Sequence, residues 1–180
     1  DDQGFHTADE ASTLRVVRTD LDGTPRAGEG SWRLVRLEQP DETLMPADQP
    51  LPQPPEGREG YDTAGDRLRP RWDPAYDPNA VLAQWAEGEE LATGALIHGE
   101  DGVAELSLPG LAGGAYRVVY ATRDDFGAEF TTSEQVVVAG PRRTPLSLPE
   151  FLRFDRSTVG VGETARLFVF TGLKAQEMVL

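Results

Sequence analysis

The sequence of 180 residues contains no cysteine. This absence excludes disulfides, thiolate nucleophiles and zinc sites built from thiolates. No run of apolar residues approaches the roughly 20 that span a bilayer as a helix, so we expect no membrane insertion by this stretch. No secretory leader is recognisable, and a chain that begins at Asp1 without methionine is typical of a processed or excised segment.

Positive charge is also scarce, and Lys174 is the only lysine. The sequence has 17 basic against 31 acidic residues and a formal net charge of -14. Such a field repels phosphate backbones and anionic headgroups. Nucleic acids and anionic membrane surfaces are therefore excluded as expected partners.

Turn-forming residues are abundant, with 19 glycines and 14 prolines, which favours a β architecture. Two early strands are predicted, near Thr13–Arg18 and Ser31–Glu38, separated by a turn that ends at Gly23. The polar–apolar alternation of the second strand breaks at Leu34-Val35. This break predicts a β-bulge or burial on both faces.

The clearest alternation lies between residues 93 and 139. Strands are predicted at Thr93–His98, Val103–Leu108, Ala115–Thr122 and Ala128–Ala139, each separated from the next by a turn signal. Together with the two early strands, they predict an all-β, antiparallel, fibronectin-like β-sandwich over residues 13–139.

A long proline-rich insertion is predicted within this sandwich, at about residues 40–92. Nine of the 14 prolines fall between Pro40 and Pro78, and proline cannot donate to a sheet ladder. One short helix is expected near Pro78–Glu87, because Asp77 can cap it and Pro78 suits its first turn. If the insertion is mobile, we expect trypsin to cut first at its arginines, which are Arg58, Arg67, Arg69 and Arg71. The aromatic side chains that could anchor the insertion are Tyr61, Trp72 and Tyr76.

The ends of the chain are assigned separately. Residues 1–12 are predicted to be a flexible N-terminus, and residues 140–150 a linker with three prolines. Residues 151–180 are predicted to be part of a second sandwich, with a turn around Gly160–Gly162 and a strand at Thr164–Phe170. On this division, removing residues 151–180 leaves the first domain folded.

Acidic turns are candidate calcium sites. An EF-hand loop that starts at Asp20 would need glycine at Pro25 and glutamate at Ser31, so that motif fails. Asp124 and Asp125 are the kind of residues that line calcium sites in sandwich loops. Acidic residues also satisfy turn backbones without metal, and we expect this simpler role for them.

Other residues suggest chemistry only weakly. His98 and Glu100 form an H-x-E pattern, as in zinc deaminases, but the cysteines that complete such a site are missing; a solvent-exposed histidine at a strand end is expected. Trp32, Trp72 and Trp85 are candidates for a sugar-binding face, although core packing is the expected role. No nucleophile or phosphate-loop motif is present. We predict no catalytic, cofactor-binding or metal residue, no cofactor and no enzymatic activity.

One stretch, from Asp101 to Ala139, resembles the second half of a macroglobulin domain from the bacterial α2-macroglobulin family. The resemblance rests on a G-x-A segment, a G-x-Y-x-v-x-v strand and a D-x-x-G turn before a long final strand: Gly102, Ala104; Gly114, Tyr116, Val118, Tyr120; Asp124, Gly127. Residues 162–167, GETARL, are similar to the opening of the next macroglobulin domain. Residues 14–40 fit the first two strands, whereas the long insertion departs from a minimal domain of this family.

This resemblance implies a structural scaffold fragment of a broad-spectrum protease inhibitor that traps its targets. The partners it implies are neighbouring macroglobulin domains and, through the parent protein, target proteases. It implies an extracytoplasmic, periplasmic location, with or without a membrane anchor on the parent. The family's thioester needs a cysteine, so no functional residue of the family can be placed on this sequence. Two alternatives stay open: an extracellular binding module, such as an adhesin or carbohydrate-binding sandwich, and an accessory domain of a secreted enzyme.

Overall fold

The structure is a computed structural model that describes residues 4–45, 76–124 and 126–175. Nine strands and one helix follow one another along these residues: β1 (His6–Thr7), β2 (Ser12–Val17), β3 (Gly28–Leu37), α1 (Pro78–Gln84), β4 (Glu87–His98), β5 (Val103–Leu108), β6 (Gly114–Arg123), β7 (Glu129–Ala139), β8 (Phe151–Phe154) and β9 (Leu167–Phe170). Most of the predicted insertion, with its arginines and with Tyr61 and Trp72, lies outside the described residues.

The strands form three sheets. A five-stranded sheet has the order β1-β7-β6-β3-β4, and two-stranded sheets pair β2 with β5 and β8 with β9. All pairs are antiparallel except β1 with β7. This architecture confirms the predicted all-β, sandwich-like fold with one short helix.

The first core lies between the five-stranded sheet and the β2–β5 sheet. Alternate residues of β2 and β5 point into it, as the predicted period of two requires: Leu14, Ala104, Leu106 and Leu108. The larger sheet contributes Leu34, Leu96, Tyr116, Val118, Tyr120, Val136 and Val138. These two layers bury apolar side chains from strands far apart in sequence, which is the arrangement that stabilises a sandwich.

The second core covers one end of the opposite face of the five-stranded sheet. It contains apolar residues from the N-terminus, α1, the sheet and the segment after β7: Phe5, Leu37, Val81, Leu82, Trp85, Ala115, Val137, Leu146, Leu148 and Phe151. Its members Leu146 and Leu148 come from the predicted linker. The linker-like composition of this segment therefore did not predict that two of its side chains are buried.

Strand β6 is buried on both faces because it lies between the two cores. Residues 114–120 are all buried, and Tyr116 and Ala115 point to the first and second core respectively. The neighbouring strand β3 has register shifts at Leu34/Val35 and at Val35/Leu37, and both Leu34 and Val35 are buried. The predicted bulge is confirmed, and so is burial on both faces.

The main differences from the predicted elements are two strand starts and one additional strand. Strand β4 begins at Glu87, six residues before the predicted start, because Glu87–Ala92 pairs with the end of β3. Strand β1 lies in the predicted flexible N-terminus: His6 and Thr7 lie opposite Val138 and Ala139, and Phe5 is buried. Strand β9 is shorter than predicted and begins at Leu167.

Helix α1 begins where the sequence predicted it. The Asp77 carboxylate accepts a hydrogen bond from the Asn79 backbone N–H at 2.9 Å, and Pro78 occupies the first helical position. Its buried residues are Pro78, Val81 and Leu82, and the last two pack in the second core. The helix is only seven residues long, so this packing rather than intrinsic propensity stabilises it.

Candidate interaction site

The β8–β9 hairpin is apolar on both faces. Register pairs Phe151 with Phe170 and Phe154 with Leu167, so alternate residues point to opposite sides. The inner face carries Phe151, which is 2% exposed, and the half-buried Phe168 and Phe170. The outer face carries Leu152, Phe154 and Leu167, which are 50%, 54% and 39% exposed.

Aromatic contacts hold the inner face against the second core. The ring of Phe168 lies 5.3 Å from that of Phe5 and 5.8 Å from that of Phe151, centroid to centroid, in tilted arrangements. Such geometries add to the gain from area burial. The guanidinium of Arg153 lies 5.6 Å from the centre of the Phe151 ring. The hairpin is therefore anchored by its phenylalanines.

Polar contacts close the base of the hairpin. The Asp155 carboxylate accepts hydrogen bonds from the Arg166 backbone N–H at 2.9 Å and from Arg166 Nε at 3.0 Å. These contacts hold the pKa of the Asp155 carboxyl below its usual value. Arg166 Nη1 also donates to Thr7 Oγ1 at 3.3 Å, which links the hairpin to β1.

The segment between β7 and β8 is fixed by side chains that act as backbone partners. The Gln39 amide donates to the Pro145 carbonyl at 2.9 Å and accepts from the Ser147 N–H at 2.8 Å. Thr171 Oγ1 donates to the Pro149 carbonyl at 2.9 Å. Prolines in this segment cannot donate, so these contacts replace part of a sheet ladder.

The start of α1 is tied to the start of β8. Tyr76 Oη donates to the Glu150 carbonyl at 3.4 Å, and Arg153 Nη2 lies 3.6 Å from Asp77 Oδ1. Burial, with the nearby Glu150 charge, raises the pKa of Tyr76 to about 12. Tyr76 was one of three predicted anchors of the insertion, and in the structure it packs on the second core.

A buried arginine joins α1 to the sheet. Arg117 on β6 is 8% exposed, and its Nη2 donates to the carbonyls at the end of the helix, those of Leu82, Ala83 and Trp85, at 2.9, 3.0 and 3.1 Å. These carbonyls lie at the C-terminal, negative end of the helix dipole, and the Leu82 carbonyl also accepts the Trp85 backbone N–H at 3.2 Å. Arg117 therefore caps the C-terminus of α1.

Glu87 completes this contact at the start of β4. Its carboxylate lies 2.5 Å from Arg33 Nη1 and 3.6 Å from Arg117 Nη1. The hydrogen bond from Arg33 is the largest cause that holds the pKa of the Glu87 carboxyl below its usual value. Sequence reasoning missed this cluster, because its three residues lie on three different strands.

The acidic side chain that begins each turn accepts hydrogen bonds from the turn's own backbone. Asp20 Oδ1 accepts hydrogen bonds from the backbone N–H groups of Asp22 and Thr24 at 3.0 and 2.8 Å, and its other oxygen pairs with Arg26 at 2.8 Å. The Thr24 N–H is the largest cause that lowers the pKa of the Asp20 carboxyl.

The turn at Asp124 repeats this arrangement. Asp124 Oδ1 accepts from the N–H groups of Phe126 and Ala128 at 2.9 and 2.8 Å. In both turns the glycine at the fourth position, Gly23 or Gly127, has a positive φ of 82° or 85°, which favours glycine. Asp125 lies outside the described residues. In the part of the chain that the structure describes, no group of three or more His, Asp or Glu side chains could hold a metal ion.

The prediction that His98 is exposed to solvent is wrong. His98 is 2% exposed, and its Nδ1 lies 3.4 Å from Tyr120 Oη. The residue ends an edge strand, but Gly28 of β3 lies opposite it and the following turn returns the chain to β5. Glu100 is exposed on that turn, so the H-x-E pair is not brought together in a site.

The tryptophans do not form a common surface. Trp85 is 8% exposed and belongs to the second core, and the half-buried Trp32 packs against the first. They lie in different cores on opposite faces of the sheet, and Trp72 lies outside the described residues. Strand β6 begins at Gly114, which has a positive φ of 154°.

Comparisons with protein-family models, with curated proteins and with solved structures found no match. Among residues 4–45, 76–124 and 126–175, no helix is long and apolar enough to cross a membrane. The outer face of the β8–β9 hairpin is the candidate interaction surface, because it exposes the apolar side chains of Leu152, Phe154 and Leu167.

Proposed function

We propose that this chain is a non-catalytic structural link of a bacterial α2-macroglobulin-like protease trap. The observation that carries the proposal is the β8–β9 hairpin, whose inner face is anchored in the second core while its outer face exposes Leu152, Phe154 and Leu167. A two-stranded hairpin is marginal alone, and strands that are apolar on both faces are typical of sheets covered on both faces. The partner assigned to the outer face is a neighbouring domain of the parent protein.

The anchoring supports a mechanical role. The hairpin is held by aromatic packing, by the Asp155–Arg166 contacts and by the Arg166–Thr7 hydrogen bond. A domain docked on its outer face would be connected to the five-stranded sheet through side chains, in addition to the polypeptide backbone. A protease trap needs such connections, because cleavage at one site has to change the positions of distant domains.

The described polar clusters also support a structural role. Arg117 caps a helix, Glu87 pairs two strands, and the Asp20 and Asp124 carboxylates each hold a turn. Each of these groups makes hydrogen bonds or ion pairs with the protein's own backbone or side chains. None of them pairs a nucleophile with a base, the arrangement that nucleophilic catalysis requires.

The test is protease trapping by the parent protein that contains this segment. A trap blocks cleavage of a large substrate such as casein while the enclosed protease still hydrolyses a small amide substrate. We expect this pattern with trypsin and the parent, and no effect on either substrate with the isolated 180-residue chain. A parent that leaves casein cleavage intact would refute the proposal, and so would inhibition by the isolated chain.

A second measurement tests the role of the outer face. In the parent, Phe154→Glu is expected to weaken trapping, because a charge would be buried against the neighbouring domain. Val161→Glu is the matched control, because Val161 is fully exposed at the hairpin tip. Equal trapping by both variants would contradict docking at this face. Saturable binding of the isolated chain to a glycan array would instead favour the carbohydrate-binding alternative.

A further inference from the structure

His98 lies at a buried junction between the two sheets of the first core. It ends β4 and packs edge-to-face against Tyr120 of β6, with ring centroids 5.4 Å apart. Its Nε2 is buried and has no hydrogen-bond partner among the described residues. An imidazole in this position has little to replace the water that would solvate its charged form.

Arg18 crosses from one sheet to the other beside this histidine. Its backbone N–H donates to the Gly102 carbonyl at 2.7 Å, which extends the β2–β5 pairing. Its guanidinium reaches the other sheet, where Nη2 donates to the Arg123 carbonyl at 2.9 Å and Nη1 donates to the Ala27 carbonyl. One side chain thus ties the end of β2 to the start of β3 and the end of β6.

Two glycines of β3 make room for this junction. A Cβ at Gly28 would lie 2.7 Å from Arg18 Nη1, and a Cβ at Gly30 would collide with the Tyr120 phenol. Any larger residue at either position would displace the arginine or the tyrosine. The junction therefore depends on close packing of Arg18, Tyr120 and His98 around two positions of β3 that have no side chain.

The charges around His98 oppose its protonation. The connection after β2 contributes the Arg18 cation, β6 contributes the neutral Tyr120 phenol, and β3 contributes backbone. On the turn after β4, Glu100 is exposed and the Asp101 carboxylate accepts a hydrogen bond from the Val103 N–H at 3.0 Å. Burial is the largest cause that lowers the pKa of His98; a hydrogen bond with the Gly28 backbone opposes it, and the Arg18 charge lowers the pKa by a smaller amount, with no carboxylate contributing.

We propose that His98 and Arg18 form an acid-sensitive latch at the loop end of the sandwich. Above neutral pH the imidazole is uncharged and Arg18 holds the two sheets together. Below about pH 6, protonation favours conformations in which the imidazolium reaches water and moves away from the Arg18 guanidinium. The segments released are residues 18–27 and 99–103, which contact Arg18 on either side.

The test is hydrogen exchange of the whole chain, measured by mass spectrometry at pH 7.5 and pH 5.0 and corrected for the intrinsic rates. The ordinary pKa of an exposed imidazole is 6.5. If only the open form binds the proton, the opening equilibrium rises by at most about 30-fold between these two pH values. We expect a rise of roughly 3- to 30-fold in segments 18–27 and 99–103.

The matched control is the only other histidine, His6, which is also buried but lies in β1. His6→Gln is expected to keep the acid-induced opening of segments 18–27 and 99–103, and His98→Gln is expected to lose it. Unchanged protection at pH 5.0, or the same opening in His98→Gln, would overturn the proposal.

A second measurement covers the case in which His98→Gln does not fold. In the unmodified chain, NMR titration of the His98 ring is expected to follow the same midpoint as the shifts of the Gly102 and Val103 amides. An ordinary midpoint near 6.5 for His98, with no change at those amides, would contradict the latch.

Discussion

Burial of the inner face of the β8–β9 hairpin predicts that the hairpin belongs to the same folded unit as the sandwich. Phe151 and Phe154 are the same residue type on the same four-residue strand, but the first is 2% exposed and the second 54%. Truncating a buried phenylalanine to alanine costs about 3–5 kcal/mol, from lost burial and the cavity left behind. We expect Phe151→Ala to lower the free energy of unfolding by about 3–4 kcal/mol, and Phe154→Ala by less than about 1 kcal/mol.

Urea unfolding followed by tryptophan fluorescence measures both variants. Trp85 reports on the second core and Trp32 on the first, and far-ultraviolet circular dichroism reports on the sheets. If residues 146–170 belong to the same cooperative unit as the sandwich, the transitions seen by the two methods coincide and shift together in Phe151→Ala.

The predicted linker at residues 140–150 gives the opposite expectation. An independent second unit would leave the main transition of Phe151→Ala unchanged, and would produce at most a separate, earlier transition. Equal midpoints for Phe151→Ala and Phe154→Ala would refute the reasoning from burial. A shift confined to Phe151→Ala would contradict the linker, because one buried ring would then support both units.

Three further predictions concern polar groups. Arg117→Met removes the side-chain donor to the Leu82, Ala83 and Trp85 carbonyls and is expected to cost about 2–4 kcal/mol in urea unfolding. Arg15→Met, at an exposed position of β2, should change stability by less than about 0.5 kcal/mol. Asp124→Ala removes the acceptor of two backbone N–H groups and should cost about 1 kcal/mol, and no loss in a thermal melt would show that the turn is held without it. The pKa values of Asp20, Glu87 and Asp155 are lowered in the folded state. Their contribution to stability is therefore present above their ordinary pKa values and is lost as pH falls through the folded ones. Glu87→Gln should reduce the fall of the urea midpoint below pH 4.5, and an unchanged fall would argue against the Arg33–Glu87 pair.

The strands of the first core could be predicted because their signal is local. In β5, Ala104, Leu106 and Leu108 alternate with exposed residues, and the predicted bounds agree with the structure. The break at Leu34-Val35 also appears in the sequence as two adjacent apolar residues. Alternation depends only on which side of a strand faces the core, so it needs no knowledge of the partner strand.

The features that the sequence did not predict share a different cause. Burial of His98 depends on Gly28 and Arg18, which are 70 and 80 positions away in the sequence. The first half of β4 is acidic, and it becomes a strand because it pairs with the end of β3, where Arg33 and Arg117 form ion pairs with Glu87. Composition does not reveal these pairings, because they depend on residues far away in the sequence.

The segment after β7 combines both kinds of signal. Pro141, Pro145 and Pro149 are incompatible with a central strand, and residues 140–150 contain no strand. They do not rule out burial, because Gln39 and Thr171 supply the partners that the segment's backbone needs. Leu146 and Leu148 can therefore enter the second core without a sheet ladder.

Strand β6 is where the two cores influence each other. Its residues alternate between them, with Tyr116 and Val118 in the first core and Ala115 and Arg117 on the side of α1. Native interiors are close-packed, so a displacement of α1 or of the hairpin must be accommodated by this strand or by the contacts on its far side. A displacement of the β8–β9 hairpin would therefore affect the first core through β6. A double-mutant cycle that truncates Phe151 and Val118 measures the free energy of coupling between the two cores. Additive effects of the two truncations would show that the cores are independent despite their shared strand.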